Sequence, residues 1–247
     1  MSLFTAVEMA PRDPILGLNE QFAADTNPNK VNLGVGVYFD DNGKLPLLEC
    51  VQSAEKAMMD KPSARGYLPI DGIAAYDAAV KSLVFGADSE PVTSGRVATV
   101  QGIGGTGGLK IGADFLKKIS PNAKVMISDP SWENHRALFT NAGFQVDSYA
   151  YYDAEKRGVN FDGMLASLNA AAAGTIVVLH ACCHNPTGYD ISSAQWDQVI
   201  AVIKAKNLTA FLDMAYQGFG HGIAEDGAVV GKFVAAGLNF FVSTSFS

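Results

Sequence analysis

The sequence predicts an α/β protein whose mostly parallel sheet is covered by helices on both faces, and three observations carry that prediction. Short apolar runs of strand length alternate with segments of helical period. The run at 175–179, TIVVL, is apolar from Ile176 onward, as a strand buried on both faces must be. Three of the runs end in polar residues, which in a parallel sheet gathers those residues at its carboxyl edge.

The elements follow in order. Residues 1–48 are rich in loop signals, with Pro11, Pro14, Pro28 and Pro46. Helical patterns follow at 48–59 and 73–85. A strand at 97–101 leads through glycines to a helix at 109–119, and a strand at 124–128 leads to a helix at 134–142. Residues 153–158 read as an exposed turn and 161–172 as a helix. A strand at 175–181 then leads to a helix at 193–206, and further strands are expected at 209–212 and 239–246. The change of texture near residue 48 divides an amino-terminal arm and part of a small domain, 1–48, from a large domain, 49–247.

A chain of 247 residues, 48% hydrophobic and 17% charged, can bury a substantial core. Its net charge of −7 and pI near 5.0 leave no basic run to neutralise phosphates, which argues against a nucleic-acid partner. No apolar stretch approaches the roughly 20 residues that span a bilayer, and the first residues lack the pattern of a signal peptide. A cytoplasmic protein with no membrane partner is expected. Cys50 stands alone and Cys182 is adjacent to Cys183, which suits neither a disulfide framework nor the spaced ligand pairs of a zinc site. Inert buried thiols and no metal are the expectation.

The polar strand ends carry the chemistry. After the 175–181 strand comes CCHNPTG, in which Pro186 disfavours a helical Asn185 and Gly188 frees the turn. The next strand ends in Asp213 with Tyr216 three positions on, and the last brings Ser243, Ser245 and Ser247. Taken singly, Asn185 reads as an ordinary turn residue and Asp213 as a helix cap. Gly102, Gly104 and Gly107 match a dinucleotide fingerprint, with Asp129 at the distance where the ribose ligand belongs. The same strand, side-chain-free turn and helix amino end can instead present backbone amides to one phosphate. The glycines would ease helix packing in either case.

Eight ordered segments together resemble the aspartate and aromatic aminotransferases, which use pyridoxal 5'-phosphate (PLP). They are DPILGL at 13–18, NLGVGVY at 32–38, GYLPIDG at 66–72, GGTGGL at 104–109, SDPSWENH at 128–135, CCHNPTG at 182–188, LDMAYQGFG at 212–220 and VSTSFS at 242–247. The resemblance implies the fold type I PLP-dependent transferase architecture, with 49–247 as a PLP-binding domain incomplete at its carboxyl end. Asp213 would keep the pyridine nitrogen protonated by charge pairing, with His135 supporting it. Tyr216 and Asn185 would donate to the phenolic oxygen. Trp132 would cover the ring, a core tryptophan being the lesser alternative. Gly105, Thr106 and Ser245 would hold the phosphate. Tyr67 would reach the phosphate of a partner subunit, implying a homodimer with shared sites. Gly36 would let the substrate carboxylate approach the backbone, with Trp132 and Asn185 beside the substrate.

The resemblance puts the Schiff-base lysine immediately after Ser247, with the arginines that bind substrate carboxylates beyond it. We therefore expect a longer intact protein, cut here at a lysine modified by the cofactor. Transfer of an amino group from an aromatic or acidic L-amino acid to 2-oxoglutarate is the implied reaction. DPSWENH, GYLPIDG, LKIGADFLKK and VSTSFS look more like the aromatic branch than the aspartate branch. An NAD-dependent dehydrogenase using the glycine loop and a non-catalytic PLP-binding module are the readings of other classes.

Overall fold

A computed structural model describes residues 4–9, 16–32, 36–40 and 42–246. Asp13 to Ile15 of the first motif, Leu33 to Val35 of the second, and Ser247 lie outside the described residues. The chain divides into two compact units, Met1–Gly66 and Tyr67–Ser247. The first holds helices α1 (Leu16–Ala24) and α2 (Glu49–Asp60), and no residue of α2 is buried.

The second unit starts with α3 (Ala74–Phe85), α4 (Glu90–Thr93) and α5 (Gly104–Ile119). Strand and helix then alternate through β1 (Lys124–Asp129), α6 (Glu133–Asn141) and β2 (Gln145–Ala150). A small hairpin, β3 (Tyr152–Asp153) and β4 (Gly158–Val159), precedes α7 (Phe161–Ala170). The unit ends with β5 (Ile176–His180), α8 (Ser193–Ala205), β6 (Thr209–Met214), α9 (Ile223–Ala235) and β7 (Phe240–Thr244). Five strands form one sheet in the order β2-β1-β5-β6-β7, every pair parallel. All five carboxyl ends therefore share one edge.

Strand periodicity divides the core. Successive side chains point to opposite faces, so Ile176, Val178 and Phe211 pack with Leu109, Ala113 and Leu116 of α5 and Phe139 of α6. Val177, Leu179, Ala210 and Leu212 pack with Met164 and Leu168 of α7, Val199 and Ile203 of α8, and Val230 and Phe233 of α9. Both faces of the sheet are covered, as the apolar runs require. The approach of α5 to β6 needs Gly112, where a Cβ would lie 2.5 Å from Cζ of Phe211.

Three differences from the sequence-based expectations have physical causes. Residues 97–101 form neither helix nor strand; their side chains are alternately half-buried and exposed, but no described strand pairs with them. Their alternation marks strand character, while a ladder also needs a neighbour. Helix α5 begins at Gly104 rather than near residue 109, so the glycines form its first turns instead of a loop before it. The exposed turn expected at 153–158 is present at 154–157, and it closes a hairpin, β3–β4, that local pattern did not announce.

Candidate functional site

The carboxyl edge of the sheet places His180 of β5, Asp213 of β6 and Ser243 of β7 in one register row. Asp213 is 4% exposed, and its Oδ2 lies 2.8 Å from Nε2 of the fully buried His135. A carboxylate only accepts, so Nε2 donates to it, and Nδ1 lies 2.8 Å from Oγ of Ser131. Oδ1 of Asp213 takes no hydrogen bond among the described residues. Trp132 stands at the start of α6, half-buried, its indole edge-on to the His135 ring at 5.4 Å.

Asn185 and Tyr216 face each other across the same edge, with Nδ2 of Asn185 donating to Oη of Tyr216 at 3.5 Å. Both line a cavity of about 600 Å³ together with Cys183, Pro186, Phe219 and His221. The Asn185 turn is tied down by Asp190, which accepts from the backbone amides of Cys183 and His184 at 2.7 and 2.8 Å.

A third group lies at the amino end of α5. The first-turn amides of Gly104, Gly105 and Thr106 precede the first intrahelical partner and point outward. A Cβ on Gly105 would sit 3.3 Å from Cβ of Ser245, and Oγ of Ser243 donates to the Gly105 carbonyl at 3.5 Å. Backbone amides and a serine side chain thus converge where the helix dipole favours an anion. Gly102 is required beneath them, because a Cβ there would meet the Gly108 nitrogen at 2.8 Å.

The structure brings Trp132 and Asp213 together through His135, pairs Asn185 with Tyr216, and sets Gly105 beside Ser245, with Thr106 next along the α5 turn. Tyr67 opens the second unit with its side chain fully exposed. Gly36 belongs to the first unit and is exposed, with nothing within 4 Å of where a Cβ would stand.

Sequence reasoning gives no role to Ser131, His180 or His184. His184 is bonded to Oγ of Ser128 at 2.9 Å and Oγ1 of Thr187 at 2.8 Å, and stacks on Tyr151 at 3.9 Å. Burial first, then the nearby His135, pushes its pKa down to about 4, so it stays neutral near pH 7. His180 lies between His135 and His184, with ring centroids 5.0 and 4.2 Å away. Both its ring nitrogens are buried without a partner among the described residues. Burial, then His184 and His135, holds its pKa well below the ordinary value. The one sequence signal for these residues is the run HACCH at 180–184 after a buried strand.

The profile of the family "Aminotransferase class I and II" matches residues 28–247. The chain belongs to that family. Relatives of this aminotransferase family chain include the aspartate aminotransferase of Pseudomonas aeruginosa, 64% identical over 100% of this chain and 62% of that protein. The aromatic-amino-acid aminotransferase of Escherichia coli is 47% identical over 99% of this chain and 62% of its own length. Among solved structures, the aromatic-amino-acid aminotransferase from Burkholderia pseudomallei, covalently bound to pyridoxal phosphate, superposes with a TM-score of 0.95. It is 66% identical, over 100% of this chain and 62% of that one. The chain thus spans about 62% of the length of the relatives it matches. No helix among the described residues is long and apolar enough to cross a membrane.

Proposed function

We propose that this chain is the PLP-binding part of an aminotransferase that moves the amino group of an aromatic or acidic L-amino acid to 2-oxoglutarate. The observation that carries the reading is the meeting, at one sheet edge, of a buried carboxylate and an anion cradle at a helix amino end. These fit the two ends of PLP. Asp213, 4% exposed, needs a cationic partner, which a protonated ring nitrogen supplies. The phosphate fits the amides of Gly105 and Thr106 and the hydroxyl of Ser245, at a place where a Gly105 side chain would intrude. A dinucleotide would leave the pairing of Asn185 with Tyr216 without a role.

When bound, the cofactor supplies an electron sink for the charge left on the α-carbon of the amino acid and carries the amino group between two half-reactions. Asp213 would hold the proton at the ring nitrogen, and the Ser131–His135 chain fixes the orientation of its carboxylate. Tyr216 and Asn185 would donate to the phenolic oxygen and hold it ionised. Trp132 would cover one face of the ring and exclude water. The covalent lysine is the one that the resemblance puts just after Ser247. Gly36 would border the substrate carboxylate. The domain boundary near residue 48 is kept as part of this reading, with 49–247 as the cofactor-binding portion.

Relatives named for aspartate and for aromatic substrates both match nearly the whole chain. The segments DPSWENH, GYLPIDG, LKIGADFLKK and VSTSFS favour the aromatic branch. A cytoplasmic setting accords with the free thiols of Cys50, Cys182 and Cys183. The test is spectroscopic. The purified intact protein should be yellow, and glutamate should shift its visible absorbance. Borohydride followed by peptide mapping should place the label on no lysine within residues 1–247. A colourless protein that retains NADH would replace this reading with the dehydrogenase.

Assembly is part of the proposal. Tyr67 is fully exposed within its own chain, as expected of a side chain that completes a phosphate site in a second subunit. The active species should sediment as a homodimer and lose PLP when diluted to monomers. A fully active monomer would remove Tyr67 from the site.

A further inference from the structure

Consecutive residues in extended backbone point to opposite sides, yet Cys182 and Cys183 do not. Cys183 has a φ of 50°, in the left-handed region, and Asp190 holds that turn through the amides of Cys183 and His184. The two sulfurs consequently lie within 4.8 Å of each other. The carboxylate of Asp226, in the first turn of α9, joins them. One ligand atom from each of Cys182, Cys183 and Asp226 lies within 4.8 Å of the other two. The amides of Gly218, Gly220 and His221 orient the Asp226 carboxylate, each at 2.9 Å. Cys183 also lines the cavity it shares with Asn185 and Tyr216, whereas Cys182 and Asp226 are buried.

We propose that Cys182, Cys183 and Asp226 form a binding site for a soft divalent cation of the zinc and cadmium class. Two sulfurs and one carboxylate oxygen give three ligands of a tetrahedral set, and the cavity leaves the fourth position for water. Metal–sulfur bonds of about 2.3 Å put two sulfurs of such a site roughly 3.8 Å apart, a spacing inside the 4.8 Å that bounds the observed cluster. Adjacent cysteines in the sequence lack the spacing of a zinc motif. The left-handed turn and the arrival of Asp226 supply what the sequence spacing does not.

Burial, with Cys183, Asp226 and Asp190 beside it, keeps the Cys182 thiol protonated well above the ordinary range. Burial, then Asp190 and Asp226, also raises Cys183. Each bound ion must therefore displace thiol protons, and affinity rises with pH. Sγ of Cys183 donates to the Tyr216 carbonyl at 3.7 Å. Loss of that proton to the solvent ends the bond, so an occupied site releases the Tyr216 turn from Cys183.

The test is titration of the reduced protein with Cd²⁺ alone. One equivalent should produce thiolate-to-cadmium charge-transfer absorption in the ultraviolet and release about two protons per ion at neutral pH. Cys182→Ser and Cys183→Ser should each weaken binding by about 100-fold or more, and Asp226→Asn by about 10-fold. Cys50→Ser should leave the titration unchanged. Absence of the one-equivalent band, its survival in the Cys182→Ser/Cys183→Ser double variant, or its loss in Cys50→Ser would overturn the proposal. The outcome is independent of the PLP reading, which stands or falls on the visible spectrum.

Discussion

Replacing Asp213 with Ala should lower kcat of the intact enzyme on the order of 10³-fold, while the phosphate end of the site still retains the cofactor. The carboxylate sits in a nearly dry position, where a charge opposite the proposed ring nitrogen would act with little solvent screening. The same change leaves Nε2 of the fully buried His135 without its acceptor, which should cost about 1–3 kcal/mol of stability. Steady-state rates and visible absorbance separate the two effects, since a folded, yellow, slow enzyme is expected. Turnover within about tenfold of the parent enzyme would refute the role proposed for Asp213.

Phe211→Ala should destabilise the protein by about 3–5 kcal/mol in urea unfolding. The ring is 1% exposed at the middle of β6 and packs edge-on against Phe139 with centroids 5.8 Å apart. It also meets Phe241 at 5.6 Å and fills the space that Gly112 leaves open on α5. One side chain thereby ties β6 to β7, α5 and α6. A loss below about 1 kcal/mol would mean that the helix closes onto the sheet when the ring is removed, at odds with so closely packed a layer.

Legibility follows local pattern strength. Strand β5 announces itself because all five of its residues lie in or beside an unbroken apolar run, and α8 because its apolar residues recur at helical spacing after a capping box at Ser192 and Gln195. Strand β2 is hidden in the sequence because it is an edge strand reading QVDSYA, of which only Tyr149 is buried. Helix α9 is hidden because Gly227 and Gly231 interrupt its pattern, although packing of Val229, Val230 and Phe233 secures it. Residues 97–101 look like a strand from their own alternation, whereas pairing depends on a neighbour that the described residues do not supply. The true start of α5 is hidden because glycine disfavours a helix locally, and the close approaches of Gly102, Gly105 and Gly108 to their neighbours explain its use there.

The sequence by itself determined the α/β class, the polar ends of three strands, and the motifs that assign the chain to its family. Those are local properties: periodicity says which face a side chain takes, and a Pro or Gly says where a strand stops. The resemblance implied that His135 supports Asp213 and that Gly105 and Ser245 share a phosphate; the tertiary structure alone decided the contacts, Nε2 of His135 on a carboxylate 78 residues away and Gly105 against Ser245. It also decided that Asp226 closes on the two cysteines. Such pairs depend on strand register and on which helix covers which face, and neither leaves a mark on the spacing of residues along the chain.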